Sequence, residues 1–343
     1  MTLKWIEGFE THRILSQLTR KYSSTSGAGA ITSQVGRVAG NAISGQPVLV
    51  TASFGSPQNV GIIGFGLYVA ANFTASTSGF YLERGGAEQC SIRFVNTAGS
   101  FNLTLNRGAT VIATSTGNFA YGQWHFFELK VTARTGTNGV YELRHNEVTE
   151  FSGSSVNLAA SGSDGIDNIA LRMASNVDVR WDDIYFCDDQ GSINNNFKGD
   201  SQIRGGLPNG AGDVQQFTPG TGSTHHLLVD EPATSAPSDG TDVNFDDTNA
   251  HKELYDFGDL ATVNGNIYGL MLCSQLAMNA AGSRVLKHVY RDISNTEYNP
   301  ANFTVNSTTY TEFHDIMEQN PISVADWSES DINNAQFGVE VVS

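Results

Sequence analysis

The chain has 343 residues and carries 19 Lys+Arg against 35 Asp+Glu, a formal net charge of −16. That balance excludes a broad electrostatic nucleic-acid surface, which needs clustered Lys and Arg. Charged residues are only 16%, with 36 Gly and 8 Pro, and a chain rich in small polar and aromatic residues reads as mostly β.

The length suits two domains. No run of 18 apolar residues occurs, so no transmembrane helix and no membrane insertion are expected. The start Met1–Gly8 shows no secretory leader pattern. Cys90, Cys187 and Cys273 are few, odd in number and far apart. They make neither a disulfide framework nor a zinc site and read as free thiols; Cys90 and Cys187 could approach each other in a folded sandwich, but sequence does not place their Cα atoms within bridging range.

Taken in order, the segments predict strands. Glu10–Lys21 is the best helical stretch of the first half, enough for one or two turns. Gly61–Ala70 is apolar and aromatic, a buried strand. Phe80–Arg84 ends in a Gly85-Gly86 turn. In Gln89–Val95 the residues Cys90, Ile92 and Phe94 point one way, Ser91 and Arg93 the other. Phe101, Leu103 and Leu105 repeat the pattern, and Thr110–Ser115 follows a turn. This is an antiparallel meander with the turn spacing of a sandwich. In Trp124–Thr132 the set His125, Phe127, Leu129 and Val131 is predicted to face the core. Val140–Arg144, Asn168–Met173 and Val177–Phe186 complete the half.

Charge splits the chain after Ser192: residues 1–192 sum to −2 and residues 193–343 to −14. The polar stretch Asp188–Asn196 suits a connection, so domains are predicted at 1–192 and 193–343. A long loop is expected from Pro232 to Asn249, with a turn at Ser238-Asp239-Gly240. Beyond the connection, Ile267–Gln275, Arg284–Arg291, Thr308–Ile316 and Phe337–Val342 are strand candidates. The fold class expected is all-β, one sandwich followed by an acidic second one.

Several segments of the first half resemble the laminin-G/concanavalin-A-like jelly-roll family, in the family's order. They are Trp5–Glu10 (its W-x-G-F-E strand), Gly36–Ile43 (G-R-x-G-x-A-L), Phe80-Tyr81-Leu82, Tyr121–His125 (G-x-W-H) and Trp181–Tyr185 (the closing D-D-[IV] strand). The whole chain also resembles a class of tailed-bacteriophage virion proteins in which a jelly roll precedes a second β domain. Gly199–Arg204, Pro208–Gly212, Phe217–Pro219, Leu228–Glu231, Ala281–Arg284 and the ending Trp327–Glu340 carry that likeness. It implies a virion protein assembled in the host cytoplasm, with other virion proteins as partners.

Asp182 and Asp183 suit Ca²⁺, but six or more oxygen ligands are needed. They read instead as a strand-end signature in which Asp183 bonds backbone or Arg groups. Nine acids from Asp230 to Asp259 (Asp230, Glu231, Asp239, Asp242, Asp246, Asp247, Glu253, Asp256, Asp259) face only Lys252, which reads as a solvated acidic loop without EF-hand spacing. His225, His226, Asp230 and His251 invite a metal, yet neighbours on a strand point to opposite faces. No HExxH, G-x-S-x-G, P-loop or complete dinucleotide fingerprint occurs. Glu147 and Glu150 are the nearest approach to a glycosidase pair and have the wrong spacing.

These readings predict no catalytic, cofactor-binding or metal residue, no cofactor and no enzymatic activity. The function expected is a phage virion structural protein, a homo-oligomer associated with the tail (fibre, baseplate or adhesin) and contacting host glycans. A capsid decoration or cement protein is the alternative, and a carbohydrate-binding module or glycoside hydrolase is the alternative from another class.

Overall fold

The computed structural model describes residues 2–38, 40–45, 48–73, 78–173, 178–231 and 240–343. The turn expected at Ser238-Asp239 and the first part of its loop, 232–239, lie outside these residues, as does Ala39 in the Gly36–Ile43 segment. The chain divides into two compact units, Met1–Arg204 and Gly205–Ser343.

Alternation of apolar residues builds the first unit into two eight-stranded antiparallel sheets. In one, the order is Val148–Val156, Gly139–His145, Trp124–Thr132, Val60–Val69, Val179–Cys187, Asn41–Ser44 and Ala30–Ser33. Leu3–Glu7 shares an edge of Val179–Cys187 with Asn41–Ser44. We call it the strapped sheet, because residues 197–203 run across its outer face. The other, the open sheet, runs Thr110–Thr114, Ser100–Arg107, Ala87–Thr97, Gly79–Arg84, Ile166–Met173, Val48–Gln58 and Ser24–Gly27, with Phe119–Ala120 beside Ser100–Arg107. The first four of these are the meander the sequence predicts, and the whole is a jelly-roll sandwich. The one or two helical turns expected within Glu10–Lys21 take the form of a 3-10 helix over Leu15–Arg20.

Inward residues of both sheets fuse into one core. Phe65, on the strapped sheet, stacks on Phe80 of the open sheet at 5.2 Å and meets Trp181 at 5.4 Å. Phe94 closes on Trp181 at 6.3 Å. His125, Phe127, Leu129 and Val131 are all buried, as are Cys90, Ile92, Phe101, Leu103 and Leu105. Removing one such ring typically costs about 3–5 kcal/mol.

The second unit has a six-stranded sheet ordered Pro208–Gln215, Lys252–Phe257, Gln336–Val341, Arg284–Arg291 and Glu297–Tyr298, with Phe303–Val305 also on Arg284–Arg291. Leu270–Leu276 pairs with Thr311–Met317 as a separate ribbon. Its apolar residues include a cluster around Tyr290, Trp327 and Phe337 and another around Leu286, Val305 and Val341. The distinctive ending Trp327–Glu340 is a short helix, Glu329–Asn333, leading into the strand Gln336–Val341. Ser328 caps that helix by accepting from Asp331 N–H, while Asp331 Oδ2 accepts from Ser328 N–H at 2.9 Å.

Candidate functional site

The outer face of the open sheet gathers charge where a two-sided sandwich needs none. Its inward residues (Phe80, Leu82, Ile92, Phe94, Ile169, Leu171) leave Gly79, Tyr81, Ser91, Arg93, Ala170 and Arg172 facing out. Register aligns Tyr81 with Ser91 on one side and Ala170 on the other, and Gly79 with Arg93 and Arg172. Because Gly79 has no side chain, both arginines lean over the neighbouring ring. The Arg172 guanidinium lies 4.0 Å from the Tyr81 centroid and that of Arg93 lies 5.2 Å from it.

Each guanidinium is held by its own carboxylate. Arg172 donates to Glu83. Arg93 Nη2 donates to both oxygens of Glu88 at 2.8 and 3.0 Å, and its Nε donates to Ser91 Oγ at 2.9 Å. One strand further, Thr104 and Asn106 lie opposite Arg93 and Ser91 and bond each other, with Asn106 Nδ2 to Thr104 Oγ1 at 2.8 Å. Tyr81, Glu83, Ser91, Thr104 and Asn106 are buried beneath this network, whereas the Arg172 side chain is 36% exposed. Burial pushes the Glu83 carboxyl and the Tyr81 hydroxyl above their ordinary ranges, against the pull of Arg172 on both and of Arg93 on the tyrosine. Arg172 Nε and Asn102 Oδ1 are buried with no hydrogen-bond partner among the described residues. The result is a preformed surface of alternating donors and acceptors around a fixed ring.

The opposite outer face is occupied by the chain itself. Glu128 Oε1 accepts from Tyr185 Oη at 2.5 Å and from the N–H groups of Lys198 and Gly199 at 2.6 and 3.1 Å. Gly64, between Glu128 and Tyr185 in register, leaves the space the Tyr185 ring fills. The Arg144 guanidinium stacks on Phe197 at 4.0 Å. Residues 193–204, which composition assigns to the acidic half, thus belong to the compact unit that ends at Arg204.

The residues singled out in the sequence lie elsewhere and do not converge. All four oxygens of Asp182 and Asp183 meet protein donors: Asp183 N and Arg37 N for the first, Ile203 N and Arg37 Nε for the second, at 2.6–2.7 Å. Burial, and then the neighbouring Asp183, push Asp182 up to about 8, while burial pushes nearby Glu10 up to about 7. His225 Nδ1 bonds Glu253 at 2.7 Å, whereas His251 Nδ1 bonds Asp246 at 3.1 Å. Glu253, expected on a solvated loop, is fully buried and also accepts from Phe217 N–H. Glu150 binds Thr116 Oγ1 and Gly117 N–H. The three cysteines are free thiols, Cys90 and Cys187 among them buried. Among the described residues no group of three His, Cys, Asp or Glu could hold a metal ion. The sequence places Arg93 outward but gives no sign of Tyr81 and Arg172 beside it, because the outward parity of the strand holding Gly79 and of its two neighbours becomes a signal once their register is known.

No family model and no curated protein matches the chain. Solved structures do. An endo-β-1,4-glucuronan lyase from the fungus Trichoderma reesei is 12% identical, covering 55% of this chain and 96% of its own, with a TM-score of 0.40. A carbohydrate esterase of the Shiga toxin-encoding bacteriophage phi24B is 13% identical, over 53% and 99%, with a TM-score of 0.36. The carbohydrate binding module CBM66 from Bacillus subtilis is 10% identical, over 47% and 92%, with a TM-score of 0.32. At such identities the likeness is one of fold. The expectation of no enzymatic activity is corrected: a lyase and an esterase stand among the solved structures to which the chain is similar.

Proposed function

We propose that the chain is a carbohydrate-contacting jelly-roll protein whose glycan lies on the open sheet, across Tyr81, Arg93 and Arg172. The observation that carries this is the paired arrangement: two guanidiniums stacked on one ring, each locked to a carboxylate. Such pairs offer a donor and an acceptor side by side, the pattern that vicinal sugar hydroxyls complement. Rigid polar groups also lose little freedom on binding. The setting we propose, from the sequence resemblance, is a tailed-phage virion, with the protein tail-associated among other virion proteins.

Glycan-array binding with the full chain tests the contact. We expect at least one glycan class to bind, and binding to fall about tenfold or more in Arg172→Ala. Absence of binding at millimolar glycan, or full binding by that variant, overturns the site. Electron microscopy of antibody-labelled particles tests the setting, and label over the icosahedral shell would replace the tail with the capsid.

A further inference from the structure

The second unit holds an arrangement that neither the motifs nor the glycan reading uses. Ser274 and Asp315 sit on the paired strands Leu270–Leu276 and Thr311–Met317, with Ser274 opposite Phe313 and Leu272 opposite Asp315. His288 reaches them from Arg284–Arg291, a strand of the other sheet. His288 Nδ1 lies 2.6 Å from Asp315 Oδ2, and its Nε2 lies 3.0 Å from Ser274 Oγ. The His288 side chain is 1% exposed and that of Asp315 is 22% exposed, while Ser274 is half-buried.

Chemistry fixes the direction of this chain. A carboxylate only accepts, so the imidazole proton belongs on Nδ1, facing Asp315. That leaves the Nε2 lone pair to accept the Ser274 hydroxyl proton. A hydroxyl aimed at a ring nitrogen whose other side is oriented by a carboxylate is the constellation of an activated nucleophile. Two sheets fix the three groups, so little reorganisation is needed. Phe303 lies 4.9 Å from the His288 ring and stacks on Phe313 at 4.6 Å, an apolar wall beside the serine suited to a short acyl chain.

We propose that Ser274, His288 and Asp315 form an acyl-transfer site for small carboxylic esters, with Asp315 as positioning residue. Ser274 Oγ attacks the ester carbonyl carbon while its proton passes to His288 Nε2. The bond from that carbon to the alkoxy oxygen breaks, and His288 returns the proton to the departing alcohol. Water then attacks the Ser274 ester, giving its proton to His288, and the free acid leaves as Oγ regains that proton. One ester and one water become one acid and one alcohol. The site lies in a different unit from Tyr81, so it stands or falls separately from the glycan face.

The full-length chain, treated with a fluorophosphonate probe and mapped by peptide mass spectrometry, gives the first readout and needs no variant. Label on Ser274 is expected, and label absent from Ser274 overturns the proposal. Hydrolysis of p-nitrophenyl acetate gives the second. Ser274→Ala, with its folding checked by circular dichroism, should fall at least about 100-fold, and an unchanged rate overturns the proposal. Asp315→Asn should lower kcat while KM stays within about twofold, because the imidazole loses the acceptor that fixes its Nδ1 proton and its orientation toward Ser274. A purely structural role for Asp315 would lower the folded fraction and leave kcat per labelled Ser274 unchanged.

Discussion

The two outer faces of the jelly roll solve one problem in opposite ways. Both carry buried carboxylates on strands that face away from the core. On the strapped sheet, Glu128 and Asp183 are satisfied by backbone N–H groups of residues 198–203 together with Tyr185 and Arg37. On the open sheet, buried Glu83 is satisfied by Arg172 of the neighbouring strand and half-buried Glu88 by Arg93 of its own strand. The first solution covers the face with chain. The second leaves the guanidiniums at the surface, and Arg172 is the more exposed of the two. A face whose carboxylates are already paired within the sheet is free to meet a ligand without unfolding anything.

What the two faces share is the core between them, and the largest effect on stability is expected there. Trp181 is fully buried against Phe65 of its own sheet and Phe80 and Phe94 of the other. Trp181→Ala should cost about 3–5 kcal/mol. Thermal unfolding followed by calorimetry checks this, and a loss near zero would mean that the two sheets do not depend on this packing.

Glu128→Ala tests the strap alone. It leaves the Tyr185 hydroxyl and two N–H groups without their acceptor, a loss of roughly 1–3 kcal/mol. Limited proteolysis should then cut within residues 194–204 faster than in the native chain. Glycan binding on the opposite face should not change, and a parallel loss of binding would break the separation of the faces.

How much of this was legible depended on range. Alternation within single strands is local, so Phe127, Leu129, Cys90 and Phe94 could be placed inward from the sequence. The site depends on register between strands far apart in the chain: Arg172 meets Tyr81 only because Ile166–Met173 inserts beside Gly79–Arg84. Residues 193–204 read as the start of the acidic half because composition cannot show backbone N–H groups bonding a distant Glu128. Similarly, Glu253 counts as one acid in a run until Lys252–Phe257 is seen as a strand that turns it inward. Ser274, His288 and Asp315 lie on three strands with no fixed spacing, so no motif finds them.

A smaller, pH-dependent effect separates two groups of buried side chains. His125 Nδ1 and His145 Nε2 are 3.2 Å apart, and Phe119 and Phe127 pack on both rings. Burial holds both histidines below the ordinary range, and for His145 the neighbouring His125 adds to it. The unfolded chain therefore takes up their protons first, so this contribution is present above about pH 6.5 and is lost as pH falls through it. Glu10 and Asp182 act the other way. Their carboxyls are raised to about 7 and about 8, so the folded state holds protons that the unfolded chain releases. That contribution is present below about pH 4 and is lost as pH rises toward 8. Denaturant midpoints from pH 5 to 8 for the native chain and His125→Gln isolate the first term, and the difference should narrow as pH falls. Parallel curves would remove the pair from the account.

The smallest expected change in stability is the most informative about function. Arg172 lies half at the surface, so solvent screens its pairing with Glu83, and Arg172→Lys should shift stability by less than about 1 kcal/mol. Lysine keeps the charge but loses the flat guanidinium that stacks on Tyr81 and the fork that offers two donors at once. If the open face recognises sugar hydroxyls through that geometry, glycan affinity falls about tenfold in this variant while the melting curve hardly moves. If charge alone is read, affinity stays within about twofold and salt lowers it in both proteins. Isothermal titration at two ionic strengths distinguishes the outcomes, and the second would turn the open sheet from a geometric reader into an electrostatic one.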